Sequence, residues 1–287
     1  MTDILSTIHK KMSTLSKGQK RIAQYILDDY DKAAFQTASV LGKTVQVSES
    51  TVVRFASLLG YDGYPEMQRA LQEMVLNRLT SVQRIEVSAE RIAQEQDILS
   101  AVLLGDAERI HTTVEELDRG AFNGAVEALL HARRIYILGV RSSAALATFL
   151  GYYFNFIFDD VRLVSCASDS QMFEQLVRIS PQDALVGISF PRYSTAAIRA
   201  MEYSANAGAC TIALTDCPGS PVAKNAQYVL CAKSDMVSLA DSMVAPMSVL
   251  NALIVSVASK RRQETTAVFD RLESIWDTYH VYEKVDE

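Results

Sequence analysis

Five short apolar runs, most of them set apart by a helical pattern, constrain the fold of this chain more than any other feature. They lie at 135–138, 161–164, 184–188, 211–214 and 228–231. Helical stretches at 144–158, 168–177, 194–207 and a very short one at 221–225 separate them. A strand that stays apolar on successive residues is buried on both faces, and alternation with helices gives a parallel sheet covered on both sides. Such sheets bind ligands at the carboxyl ends of their strands, where helices begin. The expectation is an α/β domain over 107–287 built on a five-stranded parallel sheet. A helix pair broken at Gly120 precedes the sheet, and helices over 238–258 and 267–276 close it.

Residues 1–77 lack this alternation and read as an all-α bundle. One helix runs through Ile22, Ile26 and Leu27 to the acidic cluster 28–31. A second apolar segment covers 35–41, a third 48–59 and a fourth 64–77, with Pro65 in the first turn, where proline is tolerated. The third is the most specific. In VSESTVVRFASLLGYDG, Ser48 stands where a hydroxyl can accept from the first-turn N–H groups. Val52, Phe55, Ala56 and Leu59 recur at helical spacing, and Gly60 sits where a helix ends in the left-handed region. The opposite face carries Glu49, Ser50, Thr51 and Arg54. Short helices with tight connections form a helix-turn-helix, whose second helix offers its N-terminal residues to DNA bases.

On that pattern Arg54 is the candidate base contact, because a guanidinium bridges two acceptors of guanine. Ser50 and Thr51 are placed to reach bases or phosphates, and Lys43, Thr44 and Ser48 to fix the preceding turn on the backbone. Lys17, Lys20 and Arg21 are further phosphate candidates. A helical bundle for protein contacts, with Arg54 in a surface ion pair, fits the same periodicity. Charge alone does not separate the two. The chain carries −6 overall, while 1–77 holds nine basic and eight acidic residues, a net of +1 that leaves −7 elsewhere. An acidic body argues against a protein that coats nucleic acid without selectivity.

Between the two parts, 78–106 reads as a helical linker; the polar stretch RLTSVQRIEVSAERIAQEQD lacks Gly and Pro. The four cysteines form no CxxC pair and have no histidine at metal-ligand spacing, so neither a metal nor a disulfide framework is expected. The N-terminus lacks the apolar core of a signal peptide, and no apolar run is long enough to span a membrane. A cytoplasmic protein is expected.

Two strand-to-helix loops are rich in hydroxyls. One holds Gly139, Arg141, Ser142 and Ser143; the other Ser189, Arg192, Tyr193, Ser194 and Thr195. Free N–H groups at a helix start, hydroxyls and a guanidinium suit a phosphate. Serines that merely cap helices give the same pattern. Neither loop matches a P-loop or a dinucleotide fingerprint, so no nucleotide cofactor is expected.

In the order LSKGQKRIAQYIL, ESTVVRFASLLGYDGY, ILGVRSSAALA and GISFPRYSTAAIRAMEYSANAGACTIALTD, the chain resembles RpiR/MurR-type bacterial transcription regulators. These join an N-terminal helix-turn-helix to a C-terminal SIS (sugar isomerase) domain. The resemblance covers nearly the whole chain and is least specific in the linker. It implies double-stranded DNA as a partner and a sugar phosphate as effector, in a homodimer or homotetramer that reads a two-fold site. Repression of carbohydrate genes is the usual sign. It places Ser143 on the first-loop serine of the family, and Ser189 and Ser194 on second-loop hydroxyl positions. Arg141 and Arg192 stand where such loops typically carry glycine, and Pro191 where a serine is usual. An acidic sugar phosphate, its added carboxylate met by an arginine, follows as the effector class; arginines facing solvent or a subunit interface are the alternative. Related SIS folds include sugar-phosphate isomerases, so an enzyme with an accessory helical domain is the rival reading. Glu174 and Asp241 are the carboxylates such chemistry would draw on, but nothing in the sequence pairs with them. No catalytic residue is therefore assigned.

Overall fold

A computed structural model describes residues 4–78, 97–234 and 240–282. The chain divides into two units, Met1–Arg91 and Ile92–Glu287. In the first, α1 (Ile4–Lys11), α2 (Lys17–Asp28), α3 (Tyr30–Ala33), α4 (Ala38–Thr44), α5 (Glu49–Leu59) and α6 (Tyr64–Arg78) surround one core. Ile8, Ile22, Ile26, Leu41, Phe55 and Met67 are fully buried there. A capping box starts α2: Ser16 accepts from the Gln19 N–H, and the Gln19 side chain accepts from the Ser16 N–H at 3.0 Å. Thr37 caps α4, so the helix expected at 35–41 begins and ends three residues later. Lys43 and Thr44 consequently close α4 rather than form the turn, and the Thr44 hydroxyl donates to the Val40 carbonyl at 3.0 Å.

The turn from α4 to α5 is tight because Gly42 has no side chain. The Val47 N–H donates to the Gly42 carbonyl at 2.8 Å, and a Cβ on Gly42 would stand 2.9 Å from the Val47 carbonyl oxygen. Gln46 takes φ +56° in the same turn, and its carbonyl accepts from Arg21 at 2.8 Å. That bond gives Arg21 a structural role. The stripe Val52, Phe55, Ala56 and Leu59 is buried, and Gly60 ends α5 at φ +102°.

The second unit opens with α7 (Ile98–Glu116) and α8 (Arg119–His131). The break falls at Leu117–Asp118 rather than at Gly120, because Asp118 accepts from the Ala121 N–H at 3.0 Å and starts α8 two residues early. Residues 98–106, read as linker, are the first half of α7, and 79–96 lie outside the described residues. The sheet follows: β1 (Arg134–Gly139), α9 (Ser143–Ile157), β2 (Val161–Leu163), α10 (Asp169–Leu176), β3 (Asp183–Ile188), α11 (Thr195–Asn206), β4 (Cys210–Thr215) and β5 (Tyr228–Cys231). A 3-10 turn, Ala223–Asn225, takes the place of the short helix expected at 221–225. Helices α12 (Val244–Lys260) and α13 (Arg262–Tyr279) close the unit; residues 235–239, on which part of the expected 238–258 helix falls, are outside the described residues.

All strand pairs are parallel, in the order β2-β1-β3-β4-β5. On one face Ile135, Ile137, Val186, Ile212 and Leu214 pack with α8, α9 and α12; on the other Tyr136, Leu138, Leu185 and Ala213 meet α10 and α11. Gly187 makes the second contact possible, since a Cβ there would lie 2.6 Å from Met201 Sδ. The chain steps from β1 to β2 on one side and then crosses to β3 on the other, so the strand order reverses at β1, the kind of place where such sheets bind ligands. Asp183, at the opposite end of β3, is buried and accepts from the exposed Arg133 guanidinium at 2.9 and 3.0 Å. Desolvation pushes its carboxyl up, but Arg133 and Ser180 overcome this and hold it below the usual range.

Candidate functional site

In the first unit the candidate DNA face is the exposed side of α5 and the turn before it. Glu49, Ser50 and Arg54 are exposed and Thr51 is half-buried. Lys43, Thr44 and Ser48 are exposed beside them. Arg54 Nε donates to the Ser50 carbonyl at 3.2 Å, and no ion pair engages its guanidinium among the described residues. Ser48 occupies the N-cap position, but its hydroxyl caps nothing. It meets the hydroxyls of Ser50 at 2.9 Å and Thr51 at 2.8 Å. The expected bond from Ser48 to the first-turn N–H groups is therefore not formed, because nearby hydroxyls take its place. The Thr51 N–H donates to the Ser48 carbonyl at 2.9 Å instead, which leaves the Glu49 and Ser50 N–H groups to face a phosphate.

In the second unit the candidate site lies at the carboxyl ends of β1 and β3. Gly139 and Ile188 are register partners, so the loops that follow them leave the sheet side by side. In the first loop Arg141 is exposed and sits at φ +59°, the left-handed region. The sequence position that resembles a glycine thus keeps a glycine's backbone while carrying a guanidinium. An L-residue there costs about 1–2 kcal/mol. Ser142 is already helical (φ −59°, ψ −35°), so its exposed hydroxyl makes no cap. Ser143 is buried, and its carbonyl lies so close to Gly139 that a Cβ on the glycine would stand 2.2 Å away.

The first loop opens onto a depression of about 430 Å³ that also takes in Thr148, Ser165, Cys166 and Ala167. The Gln175 side chain holds Ser165 at both its N–H (3.0 Å) and its carbonyl (2.8 Å). Sequence reasoning missed this third loop, although SCASDS, before α10, carries the same hydroxyl signal. Burial pushes the Cys166 thiol up, so it stays protonated.

The second loop is bound into the protein. Ser189 is buried; its N–H donates to Leu214 and its hydroxyl accepts from the Ser194 N–H, both at 3.1 Å. The Ser194 hydroxyl caps α11 at Ala197. Tyr193 donates to Asp216 at 2.8 and 3.0 Å. Of the eight expected effector residues, Arg141, Ser142, Arg192 and Thr195 are exposed, while Ser189, Tyr193 and Ser194 spend their hydroxyls on the protein. Glu174 is exposed on α10 and accepts from the Ser170 hydroxyl at 2.8 Å. Among the described residues no His, Cys, Asp or Glu group could hold a metal ion, and no helix is long and apolar enough to cross a membrane.

A helix-turn-helix joined to a sheet with its loops gathered at one edge defines a class, the helix-turn-helix transcriptional regulators with an SIS domain. Residues 2–78 match the family model "Helix-turn-helix domain, rpiR family", and 128–256 match "SIS domain". The chain belongs to the RpiR family of transcriptional regulators. It is 29% identical over 233 residues to an uncharacterized HTH-type transcriptional regulator of Haemophilus influenzae, covering 79% of each chain. The sugar isomerase domain of an RpiR transcription factor from Sphaerobacter thermophilus shares the fold with a TM-score of 0.59 at 29% identity. It covers 62% of this chain and 99% of that one. The Vibrio vulnificus NanR protein complexed with ManNAc-6P gives a TM-score of 0.59 at 21% identity, over 96% of this chain and 98% of its own.

Proposed function

We propose that this regulator is a cytoplasmic repressor of carbohydrate-metabolism genes, released from or fixed on its operator by an acidic sugar phosphate, and that it turns over no substrate. The carrying observation is the pair of loops that leave β1 and β3 at register partners, with Arg141, Ser142, Arg192 and Thr195 exposed on them. Exposed guanidiniums and hydroxyls beside a helix start suit a phosphate and a second anionic group. NanR, a protein of this fold, holds a sugar phosphate. Arg54, Ser50 and Thr51 would read bases, with Lys43, Thr44 and Ser48 on the backbone.

One such module buries little surface, so a homodimer or homotetramer on a two-fold site fits the reading. Exposed Leu99, Leu103 and Leu104 on α7 support such assembly. A ligand acts as a switch only by binding two arrangements with different affinity. Fluorescence anisotropy on DNA from around the protein's own gene, with a panel of neutral and acidic sugar phosphates, tests this. Wild type should bind one fragment selectively, and an acidic sugar phosphate should change that affinity. Arg54→Ala should weaken it by roughly tenfold or more. Equal response to neutral and acidic sugar phosphates removes the acidic effector. No selective binding by wild type overturns the regulator reading.

A further inference from the structure

The exposed face of α5 carries two stripes of side chains, each residue one helical turn from the next. Ser50 and Arg54 form one; Glu49, Val53 and Ser57 form the other. The first stripe presents a hydroxyl and a guanidinium, groups that bind phosphates and base acceptors alike. The second is not built for phosphate. Glu49 exposes a carboxylate, which a phosphate repels. The Ser57 hydroxyl donates to the Val53 carbonyl at 3.4 Å and is spent on its own helix. Between them stands Val53. Among the described residues of α5 it alone is a large apolar side chain left exposed, at 39%, while Val52, Phe55 and Leu59 are buried.

Packing in the core does not account for Val53, and neither would a grip on the DNA backbone. On the base edges of the major groove the apolar substituent is the C5 methyl of thymine; the other distinguishing groups there are hydrogen-bond donors and acceptors. We propose that Val53 is a specificity residue that packs on a thymine methyl, beside the base contact made by Arg54. The two residues are consecutive, so their side chains leave the helix about 100° apart and reach different base pairs. A base pair without the methyl leaves Val53 facing polar groups or a gap, and the apolar contact is lost. The inference rests on the reading of α5 as the helix that enters the major groove.

The test starts from duplexes selected by the full wild-type chain out of a random pool. Fluorescence anisotropy then measures binding to the selected site and to copies with one thymine at a time replaced by uracil. That replacement removes the methyl and keeps the base pairing. At one position or more it should weaken wild type roughly threefold or more, the worth of one buried methyl group. Val53→Ser should bind the unmodified site about as weakly as wild type binds the uracil copy, and should not respond to uracil at that position. Arg54→Ala should bind more weakly throughout but keep the uracil response. A uracil response of equal size in wild type and Val53→Ser overturns the proposal, because another group then reads the methyl. The wild-type measurement needs no variant to fold: a selected site without a required thymine, or one at which no uracil replacement matters, overturns it as well. If wild type selects no site at all, the DNA reading of α5 fails, and Val53 with it.

Discussion

Serine stands at the start of two kinds of helix in this protein, and the structure uses it in opposite ways. At α2 and α10 the serine hydroxyl accepts from the backbone: Ser16 from Gln19, Ser168 from Gln171 at 3.2 Å. At α5 and α9 the serine occupies the same position and caps nothing. Ser48 turns to Ser50 and Thr51 instead. Ser142 cannot cap, because the left-handed Arg141 before it leaves Ser142 already in helical conformation, while a capping residue needs an extended backbone. The two uncapped serines lie on the candidate DNA face and at the candidate effector cleft. Several first-turn N–H groups there are already used, Thr51 donating to the Ser48 carbonyl at 2.9 Å and Ala144 and Ala145 to the Arg141 and Ser142 carbonyls at 3.0 and 3.3 Å, so what the non-capping serines add at the two faces is an exposed hydroxyl.

The widest break in this comparison should come from Gly139→Ala. The first loop exists only because the Ser143 carbonyl can pack against a glycine, so the variant should lose more than about 3 kcal/mol from the sheet unit. Urea unfolding followed by circular dichroism would show its transition moved to low urea, and an unchanged midpoint would mean the loop relaxes freely. The capped serines come next. Ser16→Ala and Ser168→Ala should each cost about 1 kcal/mol in the same experiment. Smallest in stability are Ser48→Ala and Ser142→Ala, which should stay within about 0.5 kcal/mol of wild type. Their effect should appear in binding: a several-fold loss of operator affinity for the first and of phosphate affinity for the second. If either destabilises the chain as much as Ser16→Ala does, the distinction between the two kinds of helix start fails.

Much of the fold is legible in the chain because burial leaves a local trace. The five strands fall within a residue or so of the apolar runs; β1, β3 and β4 do so because they are covered on both faces, whereas the edge strand β2 leaves Arg162 and Leu163 exposed. The α5 stripe and its Gly60 terminus follow from helical period and from glycine's tolerance of positive φ. Gly120 misleads because glycine suggests a helix break, whereas here it sits in the first turn of α8, where Asp118 already sets the start. The candidate site is legible only in part. That Arg141 and Ser142 belong to a binding loop can be read from their place after β1, but which hydroxyls remain available cannot. Tyr193 and Asp216 are 23 residues apart, and their pairing needs two strands to be set side by side.

That a helix-turn-helix precedes a five-stranded parallel sheet, and that hydroxyls and arginines follow β1 and β3, can be read from the chain alone. Those properties depend on residues near one another in the chain: apolar period, a glycine at a helix end, hydroxyls before a helix. That Ser189, Tyr193 and Ser194 hold the protein together while Arg141 and Ser142 stay exposed emerges only once the chain is folded. A side chain's partner is fixed by what packs beside it, and packing brings together atoms that chain order keeps apart.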